Sequence, residues 1–126
     1  MGQKYLIDTN AAIDYFNNKL PINAYSFIDG IIPQISVISR IEMLAWPNAS
    51  KQYTRQLQSF IAASIVYGLE EEIIIKAIDI RKSYRVKLPD AIIGATVLVH
   101  GLVLITNDIS DFDKIKDLQA INPHQL

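Results

Sequence analysis

"LPDAIIGATVLVHGLVLITND", residues 88–108, is a nearly unbroken apolar run with an acid near each end, Asp90 and Asp108. Its longest apolar part, 91–105, is interrupted by Gly94, Thr96, His100 and Gly101 and falls short of the ~20 residues of a membrane helix, so no membrane span is expected. Pro89 suits a first helical turn, and His100-Gly101 suits a helix stop. These signals predict a helix from Asp90 to Val99, apolar nearly all round because it lies between a sheet and other helices. Leu102 to Ile105 then reads as a central parallel strand buried on both faces. The two aspartates mark the points where this buried unit meets the surface.

Working outward, Lys4 to Ile7 is a short strand ending at Asp8-Thr9-Asn10, which offers helix caps, and Ala11 to Asn17 is a helix. A helix follows over 22–28, stopped by Asp29-Gly30, then a strand over 33–37. From Ile38 to Trp46 the apolar residues Ile38, Ile41, Leu44 and Ala45 fall on one helical face, and Pro47 ends that helix. Ser50 caps a helix to Ala63, in which Tyr53, Leu57, Phe60 and Ile61 form a core stripe. A strand at 65–67 precedes a helix from Glu70 to Arg85, acidic at its start and basic at its end, as the helix dipole favours. Ala120-Ile121 is a last strand. Strands alternating with helices predict an α/β fold, a three-layer α/β/α sandwich with a mostly parallel sheet, as one domain over residues 1–126.

Composition narrows the chemistry. The 126 residues contain no cysteine, which removes disulfides, thiolate zinc sites and thiol nucleophiles. The opening MGQKYLIDTN lacks the apolar stretch of a secretory signal, so a cytoplasmic location is expected. The net charge of −1 gives no overall pull toward nucleic acid.

In open parallel sheets, ligands bind outside the carboxyl ends of the strands. Asp8 and Asp108 follow strands, Glu42 lies about one turn into a helix entered from a strand, and Asp90 begins the buried helix. If the first and fourth strands are neighbours, these four acids converge on one cleft. Each close pair would cost ~4 kcal/mol at 4 Å and an effective dielectric of 20, so a cation is needed. The hard oxygen donors, with only His100 and His124 as alternatives, indicate Mg2+ or Mn2+. Such a site suits phosphodiester chemistry.

The segments "YLIDTN", "SRIEML", "LPDAIIGATVLVHGLVLITND" and "ISDF" together resemble the PIN-domain family, most closely the VapC-type toxins, from Asp8 to Phe112. The resemblance implies a metal-dependent endoribonuclease acting on RNA, silenced by a cognate antitoxin protein and working as a homodimer. It makes Asp8 and Asp90 metal ligands and Glu42 a ligand, direct or through water, that also accepts a proton. Asp108 matches the family's variable fourth acid, with Asp111 as the alternative. Thr9, Asn10, Thr106 and Asn107 would hold the ligating carboxylates.

The same residues also have plainer readings. Asp8 and Asp108 are plausible caps, and Asp90 a plausible first-turn acid. Arg40 would grip a phosphate or pair with a carboxylate. The series Lys76, Arg81, Lys82, Arg85 and Lys87 would guide an RNA backbone or form a solvated face. Trp46 and Met43 are candidates for a groove that takes an antitoxin helix. A phospho-aspartate receiver needs an aspartate after the middle strand, but Ile65-Val66-Tyr67 runs into Gly68. A catalytically silent binding scaffold is the other alternative.

Overall fold

Strand alternation explains the layering. The computed structural model describes residues 2–126. Strand β1 (Tyr5–Ile7) sends Leu6 to one face and Ile7 to the other, and β4 (Val103–Ile105) does the same with Leu104 and Ile105. Side chains two apart share a face, so one pair of strands supports two cores. Leu6 and Leu104 pack with α5 (Glu71–Ser83) and α6 (Leu88–His100). Ile7 and Ile105 pack with α1 (Thr9–Phe16), α2 (Ile22–Asp29), α3 (Val37–Leu44) and α4 (Lys51–Ala62). The result is the expected helix–sheet–helix sandwich.

β1 pairs in parallel with β4, with Leu6 opposite Leu104, and β4 pairs in parallel with β5 (Ala120–Ile121). β2 (Gln34–Ser36) pairs in parallel with β3 (Ile65–Tyr67). β2 packs beside β1 without a hydrogen-bonded ladder, so the parallel layer consists of a three-stranded and a two-stranded ladder. All strands therefore direct their carboxyl ends the same way within each ladder, and β1 and β4 release Asp8 and Asp108 side by side.

Helix α6 behaves as its sequence predicts. Ala91 to Val97 are all buried, and Gly101 ends the helix in the left-handed region at φ 64°, which a residue without Cβ adopts at little cost. Its N-terminus begins two residues earlier than predicted, which puts Asp90 in the first turn rather than at the start. A short helix α7 (Ile109–Phe112) and a 3-10 turn η1 (Pro123–Gln125) complete the chain. No helix among the described residues is long and apolar enough to cross a membrane.

The apolar stripe of α3 is not its buried face. Ile41 and Leu44 are exposed, whereas Ser39 and Met43 are buried. Ser39 contacts Thr9 just after β1, so the buried face of α3 carries Ser39 and Met43, with Ile38 half-buried against the core, while Ile41 and Leu44 lie outside it. Burial of Met43 also removes it from any surface groove, although Trp46 remains exposed, edge-on to Tyr53.

Candidate active site

Each acid is positioned by the element that precedes it. Asp8 leaves β1 and is the N-cap of α1. Its backbone N–H continues the ladder to Ile105 O at 2.9 Å, which fixes the residue against β4. One carboxylate oxygen accepts from the Thr9 N–H at 2.8 Å, and the other accepts from Thr106 Oγ1 at 2.9 Å. Only 6% of Asp8 is exposed. Burial pushes its pKa up to about 6; the Thr106 and Thr9 hydrogen bonds oppose this, and the charges of Asp90 and Asp108 add to it.

Asp90, half-buried in the first turn of α6, is also raised. Burial is the main cause, followed by the charge of Asp111; Lys87 opposes, and Glu42 and Asp108 add smaller contributions. Asp8, Glu42, Asp90, Asp108 and Asp111 therefore face a common region from four separate stretches of chain. Asp108 acts on both Asp8 and Asp90, whereas Asp111 is felt by Asp90. Among the described residues no three acidic or histidine side chains close around one point to hold an ion. The arrangement is a rim of carboxylates rather than a formed cage. Its donors are all hard oxygens, and a buried Asp8 beside two like charges is a group whose ionised form a cation would relieve. The donor chemistry thus fits a divalent ion.

The surrounding polar groups distribute unevenly. The Thr9 hydroxyl donates to Glu42 Oε1 at 2.6 Å and lies 2.9 Å from Ser39 Oγ. Thr106 Oγ1 donates to Asp8 and accepts from the Asp108 N–H at 3.0 Å. Asn10 Nδ2 donates to Asp108 Oδ2 over 3.4 Å. Asn107 does not hold any of the four acids: its amide donates to Asp14 Oδ2 at 2.7 Å, because the turn after β4 directs successive side chains to opposite sides. Ser39 and Asp14 were missed in the sequence. Ser39 lies three residues before Glu42 on one helical face, but only the tertiary contact with Thr9 marks it as inward.

Among the basic residues, Arg81 is engaged structurally, donating to Val86 O at 2.9 Å. Lys87 precedes α6, and its charge is felt at Asp90. Arg85 and Lys87 line a concavity of about 480 Å³ with Tyr84 and Val86. Arg40 is exposed and forms no ion pair among the described residues. A larger cavity, about 890 Å³, lies away from the acids and is lined by Tyr15, Phe16, Tyr25, Arg55 and Phe60 of α1, α2 and α4.

The sequence matches the PIN domain over residues 5–118, and the chain belongs to the PIN-domain family, a family of nucleases that generally use divalent metal ions. Solved structures agree. A toxin–antitoxin complex from Klebsiella pneumoniae contains a chain 26% identical, with a TM-score of 0.78, covering 95% of this chain and 98% of that one. DNA-bound VapBC from Salmonella typhimurium is 23% identical with a TM-score of 0.82, covering 96% and 98%. FitAcB from Neisseria gonorrhoeae is 22% identical with a TM-score of 0.78, covering 97% and 99%. No curated protein matches the sequence. Family membership removes the receiver reading.

Proposed function

We propose that this protein is an Mg2+- or Mn2+-dependent endoribonuclease, the toxin of a toxin–antitoxin pair, hydrolysing RNA phosphodiester bonds at Asp8, Glu42, Asp90 and Asp108. The supporting observation is the raised pKa of buried Asp8, with Asp90 and Asp108 contributing at the joined ends of β1 and β4. These acids, with Asp111 at the rim, would hold the ion, which when bound would neutralise them and stabilise negative charge on a phosphate. Thr106 and the Thr9 amide fix both oxygens of Asp8, and the Thr9 hydroxyl aims Glu42, the group placed to accept a proton from the attacking water. Lys87, whose charge reaches Asp90, and Arg85 in the same concavity would guide the RNA backbone, with Arg40 available on α3.

The toxin reading draws on the toxin–antitoxin complexes that share the fold. The aromatic cavity between α1, α2 and α4, rimmed by Arg55 and Gln56, suits an apolar helix of a cognate antitoxin. The working form would be a cytoplasmic homodimer of one PIN domain per chain. The test is cleavage of RNA by the purified protein with Mn2+, compared with Asp8→Asn. Mn2+-dependent cleavage abolished by the substitution is expected; equal activity in both proteins, or none in either, would reject the enzyme reading in favour of a silent scaffold.

A further inference from the structure

Asp14 lies on α1 one turn after Asn10 and is the meeting point of three distant segments. Its Oδ2 accepts from Asn107 Nδ2 at 2.7 Å and lies 2.9 Å from His124 Nε2. Asp14 is a carboxylate and can only accept, so His124 carries its proton on Nε2 and donates. His124 is brought there by β5, whose Ile121 O accepts from the Thr106 N–H at 3.0 Å, and by Asn122, whose side chain caps the His124 N–H at 2.9 Å. Two residues one turn apart on α1 therefore grip two consecutive residues after β4: Asn10 holds Asp108 and Asp14 holds Asn107. The Asn10 contact is long at 3.4 Å, so it restrains Asp108 weakly. The Asp14 contact is short and charge-assisted, so α1 holds Asn107 more firmly than it holds Asp108. Asn107 Oδ1 is buried without a hydrogen-bond partner, so its amide group is held mainly through the Nδ2 side.

We propose that Asp14 and His124 are positioning residues that fix Asp108 at the carboxylate rim by clamping Asn107. This rests on the metal-site reading above. Neither residue touches the rim acids, and both act through the 106–108 turn. Removing Asp14 frees Asn107 and leaves Asp108 tethered by its N–H to Thr106 and the long bond from Asn10. Removing His124 leaves Asp14 partnered on one side only and free to swing with Asn107.

The experiment compares wild type, Asp14→Ala, His124→Ala and His124→Gln, the last keeping an N–H donor. Mn2+ affinity is measured by titration calorimetry, and amide exchange across residues 106–109 by NMR without metal. His124→Ala covers the case in which Asp14→Ala fails to fold. Expected are Mn2+ binding weaker by roughly tenfold in the two alanine variants and near wild type in His124→Gln, the scale of lost support behind a ligand. Exchange in the turn should quicken in the same two variants. Folded alanine variants with wild-type affinity, or a glutamine variant no better than alanine, would overturn the proposal. Wild-type protein that binds no Mn2+ would overturn the metal reading and the positioning role together. The metal-free exchange data would still show separately whether the clamp holds the turn.

Discussion

Replacing Asp8 with asparagine should make the metal-free protein more stable at neutral pH while removing its proposed activity. Asp8 titrates at about 6 in the fold against 3.8 for an ordinary aspartate. The folded state therefore holds the proton more tightly than the unfolded chain. The stability this confers is fully present below pH 3.8 and is lost as pH rises through 6, which leaves ionised Asp8 destabilising by ~3 kcal/mol at pH 8. In Asp8→Asn the new side chain would keep the Thr9 N–H on its oxygen, but its amide would have to donate to Thr106 Oγ1, reversing that hydroxyl at a cost of about 1 kcal/mol. The net gain is about 2 kcal/mol at pH 8, and it shrinks to about zero near pH 4.5, where the two effects cancel. Urea denaturation in EDTA at both pH values measures this directly. Excess Mn2+ should reverse the order, because an ion at 100 times its Kd stabilises the wild type by ~2.7 kcal/mol and the variant hardly at all. A variant less stable than wild type at pH 8, or a difference equal at the two pH values, would refute the account of Asp8 as a buried acid strained by its neighbours.

Thr106→Val removes the donor to Asp8 and the acceptor of the Asp108 N–H; it should cost ~1–3 kcal/mol by urea denaturation and weaken Mn2+ binding ~10–100-fold by calorimetry. Mn2+ affinity should fall about tenfold for each pH unit below about 6, where Asp8 becomes protonated, and flatten above it. Glu42→Gln keeps an acceptor for the Thr9 hydroxyl on an exposed side chain, so stability should stay within ~0.5 kcal/mol, while RNA cleavage, followed on a gel, should drop ~100-fold or more. Gly101→Ala forces a Cβ into φ 64° and should lower stability by ~1 kcal/mol without changing Mn2+ affinity, because it lies at the opposite end of α6 from Asp90.

The legible parts of the fold were those in which local signals agreed with tertiary demands. Pro89, the apolar run and Gly101 define α6 in the sequence, and the packing requires the same helix. The buried face of α3 is not legible, because an apolar stripe is a one-way indicator: Ile41 and Leu44 stay exposed, and Ser39 is marked as inward only by its tertiary contact with Thr9. Asp8, Asp90 and Asp108 can be singled out because strand ends and helix starts are visible in sequence, but the pairing of β1 with β4 that brings them together is a condition the sequence leaves open and the fold supplies. Asn107 and Asn10 look equivalent in sequence, and only the direction of the turn after β4 separates their partners. The Asp14–His124 contact spans 110 residues and depends on β5 reaching the edge of β4, so no local pattern announces it.

The plain alternative, that Asp8 is a helix cap and nothing more, meets a physical objection. Capping α1 requires one acceptor for the Thr9 N–H, and serine or asparagine would supply it without charge. The structure instead buries a carboxylate, commits its second oxygen to Thr106 from another strand, and turns Asp90 and Asp108 toward it. Each of these choices except the Thr106 bond raises the energy of the ionised form, and together they amount to ~3 kcal/mol in a domain whose total stability is on the order of 5–15 kcal/mol. A fold that needed only a cap would lose nothing by discarding the charge. One that binds a hard cation at the ends of β1 and β4 needs it, because the burial cost of the ionised carboxylate, with the smaller repulsion from Asp90 and Asp108, is what a bound ion would offset.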